Sequence, residues 1–197
     1  MSKRHARPVR WLWLATLAAP LAAVAASSAD PLDALMHALA ARRHGHVTFT
    51  EIQYLAMLDR PLESSGELLY EAPDRLEKRT LRPRPETLVL EHGTLSATRG
   101  GHTRTLELAA WPQLAPLLEG LRATLAGDRA ALEQVFDVRL DGDAAHWTLH
   151  LAPREPAAAR LVRQVLITGA EADLRTVEIL AADGDRSVLS VGSELPP

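Results

Sequence analysis

Three groups of residues have types and spacing that could do chemistry. His44 and His46 flank Gly45, with His37 just upstream. Alternate strand positions share a face, so these imidazoles could meet at a metal ion; a His-x-His at an exposed helix-to-strand junction is more often a solvated loop. His146 and His150 stand with Thr148 on one face of an alternating stretch, opposite Trp147, Leu149 and Leu151. That pattern reads as the solvent face of a half-buried strand before it reads as a binding pair. Asp141-Gly142-Asp143 and Asp183-Gly184-Asp185 resemble fragments of a calcium loop, but further oxygen ligands do not follow at loop spacing, and hairpin turns account for both.

The other common signatures are missing. No G-x-S-x-G, H-E-x-x-H, P-loop or G-x-G-x-x-G occurs, so the hydrolase, zincin and nucleotide readings lack their local motifs. The absence of cysteine removes disulfides, thiolate metal sites, cysteine nucleophiles and a lipidated N-terminal cysteine. No catalytic residue, metal or cofactor is assigned.

The elements that would position a site begin after a leader. MSKRHARPVR carries four fixed positive charges (Lys3, Arg4, Arg7, Arg10), and the uncharged run WLWLATLAAPLAAVAA follows. These are the n-region and h-region of a signal peptide. About 16 apolar residues with Pro20 inside fall short of the ~20 a span needs, so removal is expected rather than anchoring. Cleavage after Ala29 is expected to leave residues 30–197 as one domain in the exported compartment. It removes four of the 22 Lys and Arg and none of the 25 Asp and Glu, giving a net charge of −7. Such a surface disfavours a nucleic acid or an anionic membrane held by bulk electrostatics.

Leu32, Leu35, Met36 and Leu39 recur at helical spacing, with Asp30 and Pro31 as cap and first-turn residue. VTFTEIQYLAML then alternates as a strand, and GELLYEA and RLEKRTL follow as a pair turning at Pro73-Asp74. ETLVLEHGTLSATRGGHTRTLEL gives further short strands broken at Gly93 and Gly100-Gly101. After Trp111-Pro112, Leu114, Leu117, Leu118, Leu121 and Leu125 return to helical period, and a second helix follows Gly127-Asp128 around Leu132 and Val135. A hairpin and three more strands complete the chain. About ten antiparallel strands and about three helices predict a mainly β, α+β fold: a strongly curved sheet with helices on its concave side. Whether the Leu-rich helix is a core helix or the lid of an apolar cavity is not separable by periodicity alone.

GELLYEAPDRLEKRT followed by ETLVLEHGTL resembles the periplasmic lipoprotein carrier family LolA. The chain offers Phe49-Thr50-Glu51, Gly66-Glu67-Leu68, Ala72-Pro73, Leu76-Glu77-Lys78 and His92-Gly93 in the family's order, and VEILAADGDRSVLSV is similar to its closing hairpin. The resemblance implies an unclosed half-barrel lidded by helices around a cavity for acyl chains. Cavity positions would be Phe49, Leu68, Tyr70, Leu76, Leu88 and Leu90, and the lid face Leu114, Leu117, Leu118 and Leu121. It implies a monomeric, non-enzymatic carrier or chaperone for an acylated lipoprotein or another lipid, loaded by an inner-membrane exporter and unloaded at an outer-membrane acceptor. Two departures stand out: Ala72 replaces the basic residue before Pro that latches the family's lid, and Leu76 and Lys78 replace aromatic positions. The alternatives are a non-transport member of the same fold, either an envelope ligand-binding sensor module or an enzyme that orients a small molecule. An enzyme would require a polar group such as Glu51, Tyr70 or Lys78 inside the cavity.

Overall fold

The computed structural model describes residues 30–196; the leader expected at residues 1–29 lies outside the described residues. Helix α1 (Pro31–Ala40) starts where capping chemistry places it, with the Asp30 side chain accepting from the Leu32 N–H at 3.0 Å and Pro31 in the first turn. Six strands follow as a meander: β1 (His44–Tyr54), β2 (Leu62–Glu71), β3 (Arg75–Arg82), β4 (Glu86–Glu91), β5 (Thr94–Arg99) and β6 (His102–Glu107). The β4–β5 tip places His92 and Gly93 at φ 50° and 72°, and the β5–β6 tip places Gly100 and Gly101 at 57° and 80°. Two successive positive φ values make the tight turn whose twist matches the flanking strands.

A 3-10 turn (Leu108–Ala110) leads into α2 (Ala115–Ala126) and α3 (Arg129–Val135). The chain then returns through β7 (Phe136–Gly142), β8 (Trp147–Pro153), the single turn α4 (Pro156–Ala159), β9 (Val162–Ala170), β10 (Asp173–Ala181) and β11 (Arg186–Glu194). All eleven strands form one antiparallel sheet in the order β6-β5-β4-β3-β2-β1-β11-β10-β9-β8-β7. First and last strands meet in its middle, and β6 and β7 end it without pairing to each other, so the sheet is unclosed. The strand count is one above the sequence expectation, and the added helix is α4.

The packed core fills only half of this sheet. Leu32, Leu35, Met36 and Leu39 of α1 pack with Ala123, Leu132 and Phe136 against Trp147, Leu149, Leu151 and Ile167. That places the core between the helices and strands β7 to β9. Arg129 holds α3 to α1 by donating to Asp30 at 2.6 Å and Asp33 at 2.7 Å.

Candidate ligand cavity

On the other half, the helices and the sheet do not meet, and a cavity of about 290 Å³ separates them. Strand register builds its floor. Across β1 to β4 one rung aligns Val47, Leu68, Lys78 and Leu88. The neighbouring rung aligns Gly45, Tyr70, Leu76, Leu90 and, on β5, Leu95. Inward positions recur every second residue, so the alternation in GELLYEA and ETLVLE suffices to place Leu68, Tyr70, Leu88 and Leu90 on the inward face. The roof is α2, with Leu118, Leu121 and Leu125. These residues share a face by their i, i+3, i+7 spacing. Leu174, Val177, Leu189 and Val191 close the side toward β10 and β11.

Why α2 stands off the floor is visible on its opposite face. Gly120, Ala123 and Thr124 are its buried positions. The ring of Phe136, itself 1% exposed, packs so tightly on Gly120 that a Cβ there would lie 2.0 Å from Phe136 Cε2. The small residues therefore carry the close contact with the core, and Leu118, Leu121 and Leu125 face the void. At its C-terminal end Gly127 (φ 65°) approaches the Met36 carbonyl of α1.

Of the residues singled out from sequence, Leu68, Tyr70, Leu76, Leu88, Leu90, Leu118 and Leu121 line the cavity. Phe49 is 2% exposed and is not part of the lining; the Lys78 ammonium lies over it, 5.0 Å from its ring centre. Leu117 packs against the core cluster, and Leu114 occupies the N-cap position of α2. With Ala72 at the turn, a tie between helix and turn runs from the helix side: Arg122 of α2 donates to the Pro73 carbonyl at a long 3.5 Å and to Glu119 at 2.9 Å. His46 contacts Glu67 at 3.1 Å and His150 contacts Asp141 at 3.0 Å. Among the described residues no cluster of three or more such ligating side chains could hold a metal ion.

The wall is not wholly apolar. Glu51, 8% exposed, lines it together with Lys78 and Ser187. Burial pushes the Glu51 carboxyl up, but hydrogen bonds from Lys78, Ser187 and Gln53, with the Lys78 charge, outweigh it and leave the group below its ordinary range. Ser64 donates to it as well, at 3.3 Å. Tyr70 contributes the one buried side-chain polar atom without a hydrogen-bond partner among the described residues, its hydroxyl. Burial raises its pKa above the ordinary tyrosine value, against the opposing charges of Arg122 and Arg43. Glu51, Tyr70 and Lys78 were visible as inward members of β1, β2 and β3, whereas the contributions of β10 and β11 carry no local signal.

An open antiparallel half-barrel with a helix standing over an apolar cavity suits a lipid- or lipoprotein-binding type of module. The model of the family described as outer membrane lipoprotein carrier protein LolA-like matches residues 22–193, and the chain belongs to that family. A LolA superfamily protein of Nitrosomonas europaea is similar at 12% identity and TM-score 0.45, over 86% of this chain and 95% of that one. A putative outer membrane lipoprotein-sorting protein domain of Vibrio parahaemolyticus is similar at 9% identity and TM-score 0.46, over 84% and 91%. The MucA/MucB complex of Pseudomonas aeruginosa gives 14% identity and TM-score 0.46, over 85% of this chain and 59% of the matched chain. No curated protein matches.

Proposed function

We propose that the protein is a periplasmic carrier that shields the acyl portion of a lipoprotein or another lipid in this cavity between an inner-membrane donor and an outer-membrane acceptor. The observation that carries the reading is the Leu-lined space held open under α2 while the adjacent half of the same sheet is packed solid. A void of that kind is costly unless something fills it, since its lining forfeits dispersion contacts. An acyl chain fits the need: each methylene taken from water contributes ~0.8 kcal/mol, and no catalytic group is required. Pockets for drug-sized ligands run to ~300–1,000 Å³, so a cavity of about 290 Å³ suits one chain. A multiply acylated cargo needs α2 to move outward.

The polar wall does not favour the enzyme alternative. Glu51 is the one carboxylate in the lining, and four donors already occupy it, which leaves no lone pair for proton abstraction. The test is mass spectrometry of an organic extract from protein purified out of the periplasm without detergent. Stoichiometric acyl lipid or acylated peptide is the expected result. An empty extract that stays empty after incubation with inner-membrane vesicles would overturn the carrier reading.

A further inference from the structure

Among the polar groups in the cavity wall, Arg42 is paired with Asp173 and Ser187 donates to Glu51, while Glu51 and Lys78 differ in what they still offer. Glu51 Oε1 accepts from Gln53 at 3.1 Å and Ser187 at 2.7 Å, and Oε2 accepts from Ser64 at 3.3 Å and from Lys78. A carboxylate has about four lone-pair sites, so Glu51 is saturated and fixed. Lys78 has three N–H groups, and Glu51 takes one of them. No other protein acceptor reaches the ammonium among the described residues, and its side chain keeps 24% exposure where it borders the cavity. The Phe49 ring below props it in place. The second polar atom is the Tyr70 hydroxyl, buried in the same wall and unpartnered. Both can donate. What this cavity lacks is an acceptor.

A purely apolar occupant would bury the free N–H groups of Lys78 unsatisfied, which costs free energy, and would leave the Tyr70 hydroxyl without a partner. A cationic head would meet the Lys78 charge and find Glu51 already occupied. We propose that Lys78 is a headgroup-binding residue. The ligand is an amphiphile whose chain lies among Leu68, Leu88, Leu118 and Leu121 and whose oxygen acceptor, an ester carbonyl or a carboxylate, takes a hydrogen bond from Lys78 Nζ. Glu51 acts as a positioning residue that holds the ammonium at the wall and neutralises the site, so a neutral ester is accepted alongside an acid. This inference rests on the cavity being a lipid site.

The experiment compares three probes with chains of equal length, palmitate, methyl palmitate and hexadecyltrimethylammonium, each below its micelle concentration, by displacement of an apolar fluorophore. Wild type is expected to bind at least one of the two oxygen-bearing probes about tenfold more tightly than the ammonium, the value of one charge-assisted hydrogen bond. Preference for palmitate alone assigns a carboxylate; equal preference for the methyl ester assigns an ester. Lys78→Met, which keeps the chain length and removes the donor, loses the preference and retains chain binding, while Lys78→Arg keeps it. Because Lys78→Met leaves Glu51 without its countercharge, the Lys78→Met/Glu51→Gln double variant provides the same readout in a neutral wall. Equal affinity of wild type for all three probes, or a preference that survives in both Met variants, overturns the headgroup site and leaves the carrier reading standing. Failure of every probe to bind wild type overturns both.

Discussion

Leu118→Glu separates a cavity lid from a core helix. Leu118 sits on α2 with its side chain over the void, while Gly120, Ala123 and Thr124 make the buried contacts of the same helix. Replacing it by Glu removes little packing, so the stability change should stay within about 1 kcal/mol. Affinity for an acyl chain should suffer far more. A carboxyl group enclosed among leucines beside a bound chain loses its hydration, and burying it in its neutral form costs about 1–3 kcal/mol. At ~1.4 kcal/mol per decade, that is about a 5- to 150-fold loss of binding. Leu149→Ala is the contrast. Leu149 is 0% exposed in the packed half of the sheet, and its truncation should cost about 2–5 kcal/mol. Urea unfolding of both variants, with fluorophore displacement by palmitate on Leu118→Glu, reads out both quantities. The reasoning is refuted if Leu118→Glu loses cooperative unfolding, if it costs as much stability as Leu149→Ala, or if it binds palmitate like wild type.

Gly120→Ala should destabilise although alanine is the better helix former. The gain of about 1 kcal/mol in propensity opposes a Cβ placed 2.0 Å from Phe136 Cε2, and overpacking of a filled core costs about 1–3 kcal/mol; a raised melting temperature would show that α2 can lift without penalty. Glu77, 5% exposed between Arg75 and Arg79, should make stability pH-dependent. Burial pushes its carboxyl up, but the two guanidinium hydrogen bonds and charges outweigh it and hold the group below its ordinary 4.5. A depressed folded value stabilises above that ordinary value, and the stabilisation is lost as pH falls through the folded one. Glu77→Gln should therefore cost about 1–2 kcal/mol at pH 7 and converge on wild type as pH falls below 4.5 and through the depressed folded value. A gap that stays constant across that range in urea titrations counts against the pair.

Much of this molecule is local and was legible as such. Period-two alternation put Leu68 and Tyr70, then Leu76, then Leu88 and Leu90, on one face of successive strands, and the turn residues at Pro73-Asp74, Gly93 and Gly100-Gly101 set which strands pair. Helical spacing likewise grouped Leu118, Leu121 and Leu125. These features depend on neighbours within a few residues, which is what a sequence displays. The family's motif order carried the rest of the fold.

Only the tertiary structure decided which apolar faces meet each other and which meet nothing. The leucines of α1 and α2 look alike in sequence, yet those of α1 enter the core while Leu118 and Leu121 face the cavity. The difference lies in Gly120 and Phe136, sixteen positions apart in the chain, whose close fit fixes the height and rotation of α2. Phe49, placed in the cavity by analogy, lies beneath Lys78 because Lys78 reaches across its ring toward Glu51 from another strand. The same crossing turns two charges on different strands into a saturated acceptor and a free donor. Sequence determines which side of a strand or helix a residue occupies, because that follows from backbone period. What stands opposite it is set by contacts between residues far apart in the chain, and here those contacts separate a filled core from a cavity with a polar wall.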